Sequence, residues 1–257
     1  MIFSRELQAI HVLAGLALLA VVAGLVWFLT GTEESSNLGA HSVPSDASPL
    51  AACGAAPPTE RAPSVVSTKP ALRLERRTDY VARVQTSCGI VEIDLLEREA
   101  PRTVANFVFL SDRGFFDGLV FHYVHFDFWI QAGDPDGRPG VEPDGPGYTI
   151  PDELPDPGDR YVYGTVAMAN RGGPGTAGSQ FFIVVRDFEG ALKGRPRPLQ
   201  IPRRYAIFGR VLRRSYYVVE EIARQPTTGR DRAVAQQPIR PVYIEGIEII
   251  RRPIRSR

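Results

Sequence analysis

The chain is poor in the residues that build disulfide frameworks and metal sites. Its 257 residues include two cysteines, Cys53 and Cys88, and four histidines. Two cysteines do not form the disulfide framework that stabilises small secreted domains. One disulfide between them could form outside the cytoplasm, but nothing in the sequence alone supports it. His122 and His125 have no further Cys or His around them at zinc-ligand spacing. No metal site and no cofactor are therefore predicted.

The chain also lacks a charge of one sign. Its 30 cationic and 29 acidic residues leave a net charge of +1, without a dominant basic stripe, so no nucleic-acid partner is expected. Arginine supplies nearly all of the cations, a bias that a GC-rich genome produces and that favours a bacterial source. Residues 252–257 form a terminal basic cluster, for which a solvated tail is the simpler interpretation than a phospholipid or nucleic-acid contact.

One long stretch contains no formally charged residue. Residues 10–29 read IHVLAGLALLAVVAGLVWFL, with no polar face apart from His11 at the edge. As a helix at about 1.5 Å per residue, this run covers about 30 Å, the hydrocarbon thickness of a bilayer. Trp27 suits the headgroup interface. The pattern predicts one transmembrane helix after a short N-terminal segment, residues 1–9.

The alternative to an anchor is a cleaved signal peptide. A secretory apolar region runs only about 7–15 residues before a small-residue cleavage site, and this run is longer. Leu50-Ala51-Ala52-Cys53 resembles a lipoprotein cleavage box but lies too far downstream. Arg5 precedes the run, whereas Glu33 and Glu34 follow it, which favours a cytoplasmic N-terminus. The expected localisation is a single-pass protein of a bacterial plasma membrane, with its catalytic domain outside the cytoplasm.

Beyond the apolar run, the sequence divides into a linker and a domain. Residues 30–76 are rich in Ser, Ala, Pro, Thr and Gly and show no sustained apolar period, which predicts a flexible linker. Residues 77–251 contain many short strand-like runs but few helices, as in an all-β barrel or sandwich. A monomer is expected.

Two helices and several strands are predicted within this domain. Pro101 suits a first helical turn, and Gly114 suits its end. A second helix is predicted from about Ser215 to Gln225, before Pro226. The predicted strands are Val91–Leu95 after a turn at Ser87-Cys88-Gly89, then Leu119–Val124, Phe128–Gln131, Gly164–Met168, Phe181–Val185, Tyr205–Leu212 and Val242–Ile250.

Several motifs occur in an order that resembles the cyclophilin family. They are Ala100-Pro101-Arg102-Thr103-Val104-Ala105-Asn106-Phe107, Gly118-Leu119-Val120-Phe121-His122, Phe128-Trp129-Ile130-Gln131, Met168-Ala169-Asn170, Gly178-Ser179-Gln180-Phe181-Phe182-Ile183 and Phe208-Gly209-Arg210-Val211. The resemblance implies a closed barrel of eight antiparallel strands capped by two helices. It also implies cis/trans isomerisation of X-Pro peptide bonds, with proline-containing segments of client proteins as partners.

The resemblance assigns roles to individual residues. Tyr123, Phe128 and Gln131 occupy the catalytic positions. Phe128, Trp129 and Phe182 would line an apolar slot for the proline ring, and Gln131 would bond the substrate backbone. The other substrate-binding positions are Ala169, Asn170, Gln180 and Tyr205. Aromatic residues alone are more often core than site, so the prediction depends on the whole ordered set.

Departures from the family pattern leave two functions open. Tyr123 stands where the family has its catalytic arginine, and Tyr205 stands where a histidine is common. A phenol is a neutral single donor, whereas a guanidinium is a rigid cationic fork. In the first function, the chain is a prolyl isomerase of reduced activity that assists folding, and Tyr123, Arg171 or Arg186 supplies the donor. In the second, it is a non-catalytic proline-peptide binding module or chaperone. An insertion near residues 190–203 has no assigned role.

Overall fold

The fold comes from a computed structural model that describes residues 53, 66, 71, 73–137, 145–229 and 237–254. All of them belong to one compact unit, residues 47–257. None of the helices in these ranges is long and apolar enough to cross a bilayer. The predicted span at residues 10–29 and most of the predicted linker lie outside the described residues, so the anchor remains a prediction.

The domain is built on one antiparallel sheet with few helices. The strands are β1 Thr78–Thr86, β2 Gly89–Leu95, β3 Tyr123–Val124, β4 Trp129–Ala132, β5 Thr165–Met168, β6 Phe181–Val184, β7 Ile207–Val211 and β8 Ile244–Pro253. The α-helices are α1 Pro101–Ser111, α2 Phe188–Leu192 and α3 Tyr216–Ala223, and a 3-10 turn at Arg213–Ser215 precedes α3.

The eight strands form a half-barrel in the order β3-β4-β6-β5-β7-β2-β1-β8. The prediction of an eight-stranded antiparallel fold is confirmed, but among the described residues no strand ladder closes the barrel. A single bridge between Val120 and Tyr243 links the two edges, with flanking hydrogen bonds from Gly118 to Ile244 and from Phe121 to Val242. The predicted strand over residues 119–124 is therefore reduced to Tyr123–Val124.

The central strand β6 is buried on both faces of the sheet. Because successive strand residues point to opposite faces, Phe181 and Ile183 enter the large core, which also receives α1 and α3. Phe182 and Val184 enter a second, smaller apolar cluster on the other face. This alternation explains why the Phe-Phe-Ile-Val run is apolar throughout. It also places the smaller cluster, which holds most of the predicted site, on a face away from α1.

The N-terminus of α1 is capped by a side chain distant in sequence. Ala100, at the N-cap position, offers no side-chain acceptor. Glu153 instead accepts hydrogen bonds from the backbone N–H of Arg102 at 3.0 Å and of Thr103 at 2.7 Å, and from the Thr103 hydroxyl at 2.8 Å. A carboxylate here satisfies unpaired backbone donors and meets the positive end of the helix dipole.

Removing this cap should destabilise the domain measurably. We expect Glu153→Ala to lower the free energy of unfolding by about 1–2 kcal/mol, since it deletes charge-assisted bonds to orphan N–H groups. Urea denaturation monitored by circular dichroism measures the change. The control is Glu189→Ala, which removes the carboxylate of an exposed ion pair with Lys193 and should cost less than about 0.5 kcal/mol. Equal losses in the two variants would contradict the capping role.

Part of the predicted linker contacts the domain. Cys53 forms a disulfide bridge with Cys88 at the β1–β2 turn, with the two Cα atoms 5.1 Å apart. The sequence alone had given no support to this bridge. Val66 donates its backbone N–H to the Pro146 carbonyl at 3.2 Å, and Glu75 donates its N–H to the Tyr80 hydroxyl at 2.9 Å. At the other end, β8 continues to Pro253, into the residues predicted as a basic tail.

The insertion between β6 and β7 contains a short helix that the sequence analysis missed. Asp187 caps α2 in the left-handed region, with φ of 61°, and its side chain accepts from the Gly190 N–H. An extended segment then returns toward β7, where Leu199 donates its N–H to the Tyr161 carbonyl at 2.6 Å. The insertion is therefore packed against the domain, next to the smaller apolar cluster.

Candidate active site

The structure brings four of the predicted residues together as an aromatic slot, made of Phe128, Trp129, Phe182 and Tyr205. The Phe128 and Trp129 rings stack with centroids 3.9 Å apart, and Trp129 lies 4.8 Å from Phe182. Tyr205 meets Phe182 edge-on at 5.3 Å. Phe182 is buried, whereas the other three are half-buried and accessible from outside. The rings thus form a continuous apolar surface that a proline ring can contact.

The polar side of the slot is formed by two glutamines. Gln131 lies opposite Tyr123 in the β3–β4 pair and opposite Phe182 in the β4–β6 pair. Its Nε2 donates to the Gln180 Oε1 at 2.6 Å. These half-buried amides carry donors and acceptors beside the rings, as the recognition of a peptide backbone requires. The strand pairing itself therefore places Gln131 at the boundary between the slot and Tyr123.

Tyr123 lies beside the slot, with its ring centroid 6.0 Å from that of Trp129. Burial raises the pKa of Tyr123, which keeps the phenol neutral and able to donate. Within the part of the chain that the structure describes, no residue forms a hydrogen bond with its hydroxyl. Tyr123 therefore offers one uncommitted O–H donor at a position predicted to be catalytic. Of the two predicted substitutes, Arg171 is exposed in a turn, and Arg186 is half-buried after β6.

Ala169 and Asn170 form the rim next to Tyr205. The Ala169 N–H donates to the Gln180 carbonyl at 3.0 Å, which ties this segment to the glutamine pair. The Asn170 side chain donates to the Arg204 carbonyl at 2.7 Å and accepts from the Gly172 N–H at 3.1 Å. Its side chain is thus occupied in holding two loops together. All nine predicted site residues lie in or beside the same apolar cluster, but their roles remain predictions.

A network of buried hydrogen bonds holds residues 178–180, the segment that contains Gln180. Asn106 on α1 donates to the Gly178 carbonyl at 2.8 Å and accepts from the Tyr148 hydroxyl at 2.9 Å. The Ser179 hydroxyl donates to the Gly133 carbonyl at 2.7 Å. Gly133, at φ of 89°, approaches so closely that a Cβ there would lie 2.4 Å from the Ser179 carbonyl oxygen. The end of β4 and residues 178–180 therefore form one rigid support.

Several residues of the cluster were missed by sequence reasoning. Tyr161, Leu199, Ile201 and Ile207 all pack with the slot residues. The Tyr161 hydroxyl donates to the Tyr205 carbonyl at 2.8 Å and accepts from the Tyr205 N–H at 3.3 Å. The alternating apolar positions of Leu199 and Ile201 were a usable signal, but they fall inside the insertion. Within the described ranges, no three His, Cys, Asp or Glu side chains are grouped as metal ligands.

The match to a family model agrees with this geometry. Residues 81–249 match the model described as cyclophilin type peptidyl-prolyl cis-trans isomerase/CLD, which covers more than half of the chain. The chain belongs to the cyclophilin-type peptidyl-prolyl cis-trans isomerase family. The matched range includes at least part of every strand of the sheet and every residue of the predicted site.

Named relatives of this cyclophilin are isomerases. The probable peptidyl-prolyl cis-trans isomerase A of Mycobacterium bovis is 40% identical over 185 residues, which cover 65% of this chain and 91% of that protein. A peptidyl-prolyl cis-trans isomerase of Synechococcus elongatus is 45% identical over 102 residues, 40% of this chain and 66% of that protein. Among solved structures, a Cryptosporidium parvum cyclophilin matches 68% of this chain and 99% of its own, with 28% identity and a TM-score of 0.55.

The cyclophilin fold also buries a titratable histidine beside the site. His122 is 4% exposed, and burial lowers its pKa from 6.5 to about 4. The folded state therefore holds His122 neutral, whereas the unfolded chain takes up a proton near pH 6.5. The free energy of unfolding should fall by about 3 kcal/mol on this account as pH decreases from 6.5 to about 4.

The His122 contribution can be isolated with a non-titrating variant. His122→Gln removes the protonation step, so its urea midpoint should depend less steeply on pH than that of the wild type between pH 6.5 and 4. Measuring both midpoints at several pH values in this window gives the difference. Parallel pH curves for the two proteins would show that His122 does not govern the loss of stability.

Proposed function

We propose that the protein isomerises X-Pro bonds of proteins outside the cytoplasm and assists their folding, with turnover reduced by the presence of Tyr123. The observation that carries this proposal is the intact aromatic slot bordered by the Gln131–Gln180 pair. In support, a further solved structure of the Cryptosporidium cyclophilin was determined in the presence of the dipeptide Ala-Pro. A proline-containing peptide is the ligand that this site would hold.

The chemistry needs no covalent step. The barrier of about 18–20 kcal/mol to X-Pro rotation is the loss of amide resonance, so a site accelerates rotation by binding the twisted bond better than either planar form. The slot would fix the proline ring, and Gln131 would hold the flanking backbone while the bond turns. A donor to the prolyl nitrogen stabilises it as it becomes pyramidal, and the Tyr123 hydroxyl is the free donor at this place.

The reduced rate follows from the chemistry of that donor. A neutral O–H forms a weaker hydrogen bond than a cationic N–H. Losing one preorganised donor commonly lowers a rate by about 10²–10³, and Tyr123 would recover part of that loss. The wild-type chain should consequently accelerate isomerisation well above the uncatalysed rate but below that expected with arginine at this position.

An extracytoplasmic location is supported by two independent features. The uncharged run at residues 10–29 has the length of a membrane span, and more basic charge lies before it than after it. The Cys53–Cys88 bridge belongs to an oxidising compartment, because cytoplasmic thiols are kept reduced. Protease added to intact spheroplasts should digest the domain or release it, whereas full protection would reverse the proposed topology.

The test of the activity is the relaxation of an Ala-Pro peptide from cis to trans, timed in the presence of the full-length protein in detergent. We expect a rate that rises linearly with protein concentration. The matched control is Phe128→Ala, which empties part of the slot and should lower both peptide affinity and rate. If peptide binds but relaxation stays at the uncatalysed rate, the protein is a proline-peptide binding module instead.

A further inference from the structure

The insertion next to the slot carries unpaired positive charge. Between Arg186 and Arg204 the chain has six cationic and two acidic residues, a net charge of +4. Both carboxylates are already used, because Asp187 pairs with Arg197 at 3.5 Å and Glu189 pairs with Lys193 at 3.4 Å. The remaining four arginines form no ion pair with any residue in the described ranges. They are Arg186, Arg195, Arg203 and Arg204.

The same insertion contributes to the apolar cluster of the site. Leu199 is 4% exposed and packs with Ile201 against the cluster that contains the slot. Tyr205, the last residue of the slot, directly follows Arg204. One segment thus contributes both cationic side chains and part of the apolar surface of the slot. A peptide bound in the slot would therefore lie close to the positive charge of these arginines.

Arg204 is held at the rim of the slot by contacts with Asn170 and Tyr205. Its carbonyl accepts the Asn170 side-chain N–H at 2.7 Å. Its guanidinium carbon lies 5.2 Å from the Tyr205 ring centroid, and Nη2 donates to the Tyr205 hydroxyl at 3.0 Å. A guanidinium has five donors in a planar fork, and within the described ranges only this one is engaged. The exposed remainder of the fork is available to a ligand.

Arg186 adds a second cation with an unmet hydrogen bond. It follows Val185, whose N–H donates to the Phe128 carbonyl at 3.1 Å, so its backbone borders the slot. Its Nε is buried and has no hydrogen-bond partner among the described residues. Because this Nε is not exposed, Arg186 would act on a bound peptide through its positive charge and not through this N–H.

We propose that this site prefers X-Pro segments in which an aspartate or glutamate flanks the proline, with Arg204 as the main specificity-determining residue and Arg186 as a second. The proposal rests on the proposed function and adds the substrate class to it. The acidic side chain forms charge-assisted hydrogen bonds with the free part of the Arg204 fork while the proline ring occupies the slot. A lysine at the same position of the peptide is repelled.

The test compares labelled peptides that differ in one residue beside the proline. Binding to the full-length protein in detergent is measured by fluorescence anisotropy, with Glu, Gln or Lys immediately before or immediately after the proline. At low salt we expect the better-placed Glu peptide to bind about two- to fivefold more tightly than its Gln counterpart, and the Lys peptide to bind more weakly. At about 0.3 M salt the preference should shrink, because the charges involved are solvent-exposed.

Variants identify the residue responsible. Arg204→Gln should reduce the Glu-over-Gln ratio toward one, and Arg204→Lys should retain part of it. Arg240→Gln is the matched control, because Arg240 is exposed and lies outside the apolar cluster of the site. Its ratio should equal that of the wild type. A ratio that falls equally in the Arg240 and Arg204 variants would reflect net charge alone and would overturn the proposal.

The outcomes separate this inference from the proposed function. Equal affinities for the Glu and Gln peptides at both positions would overturn the acidic preference and leave the isomerase proposal intact. Failure of every peptide to bind, neutral ones included, would overturn both.

Discussion

The Tyr123→Arg variant is expected to isomerise Ala-Pro peptides at least tenfold faster than the wild-type protein. A guanidinium at this position places a cationic donor near the prolyl nitrogen, and one preorganised donor is commonly worth about 10²–10³ in rate. Part of that gain is offset because Tyr123 is half-buried and a charge there must be desolvated. Timing cis-to-trans relaxation at several protein concentrations gives the two rates.

Measuring peptide affinity shows whether Tyr123→Arg speeds isomerisation by stabilising the twisted bond or only by binding the peptide more tightly. The restored bond belongs mainly to the twisted state, so the dissociation constant for the peptide should change much less than the rate. Tyr123→Phe is the matched control, since it keeps the ring and deletes the hydroxyl, and its rate should fall below that of the wild type. An arginine variant no faster than the uncatalysed peptide would remove Tyr123 from the mechanism and favour the binding module.

Gly133→Ala should damage both stability and activity. The added Cβ would lie 2.4 Å from the Ser179 carbonyl oxygen, which forces β4 and residues 178–180 apart. Since these residues position Gln180, we expect the free energy of unfolding to fall by at least about 2 kcal/mol and kcat/KM to fall about tenfold or more. Urea denaturation and the relaxation assay measure the two effects.

Gly172→Ala is an unusually close control for this substitution. Gly172 has the same φ of 89°, but a Cβ there meets no atom within 4 Å. Both variants therefore carry similar backbone strain, and only Gly133→Ala adds the steric clash. The difference between them measures the close approach of β4 to Ser179. Similar losses in the two variants would attribute the whole effect to backbone strain.

Local signals in the sequence predicted much of the fold. Pro101 and Gly114 predicted α1, and short apolar runs predicted β2 and β4 to β7 to within about two residues. The strand predicted at residues 119–124 was too long, because its first part pairs with the β8 end through a single bridge. Pairing between distant segments decides strand length, and no local pattern contains that information.

The site shows the same division between local and distant information. The order of the motifs predicted which residues would meet, and the rings of Phe128, Trp129 and Phe182 do meet. The long-range hydrogen bonds that support the fold were not predicted. Glu153 caps a helix 50 residues earlier in the chain, and Asn106 bonds Gly178 across 72 residues. Their hydrogen-bond partners are determined by tertiary packing, which the periodicity of the sequence does not predict.

The Cys53–Cys88 bridge changes how the domain would respond to a mechanical load. The two cysteines lie 35 residues apart in sequence and are joined covalently. Tension applied to the chain before Cys53 would enter the domain at the β1–β2 turn and bypass the segment between the cysteines, which includes all of β1. That segment would act as a closed loop outside the line of force. With the bridge reduced, the same tension would enter at the opposite end of β1 and peel this strand from β2 and β8.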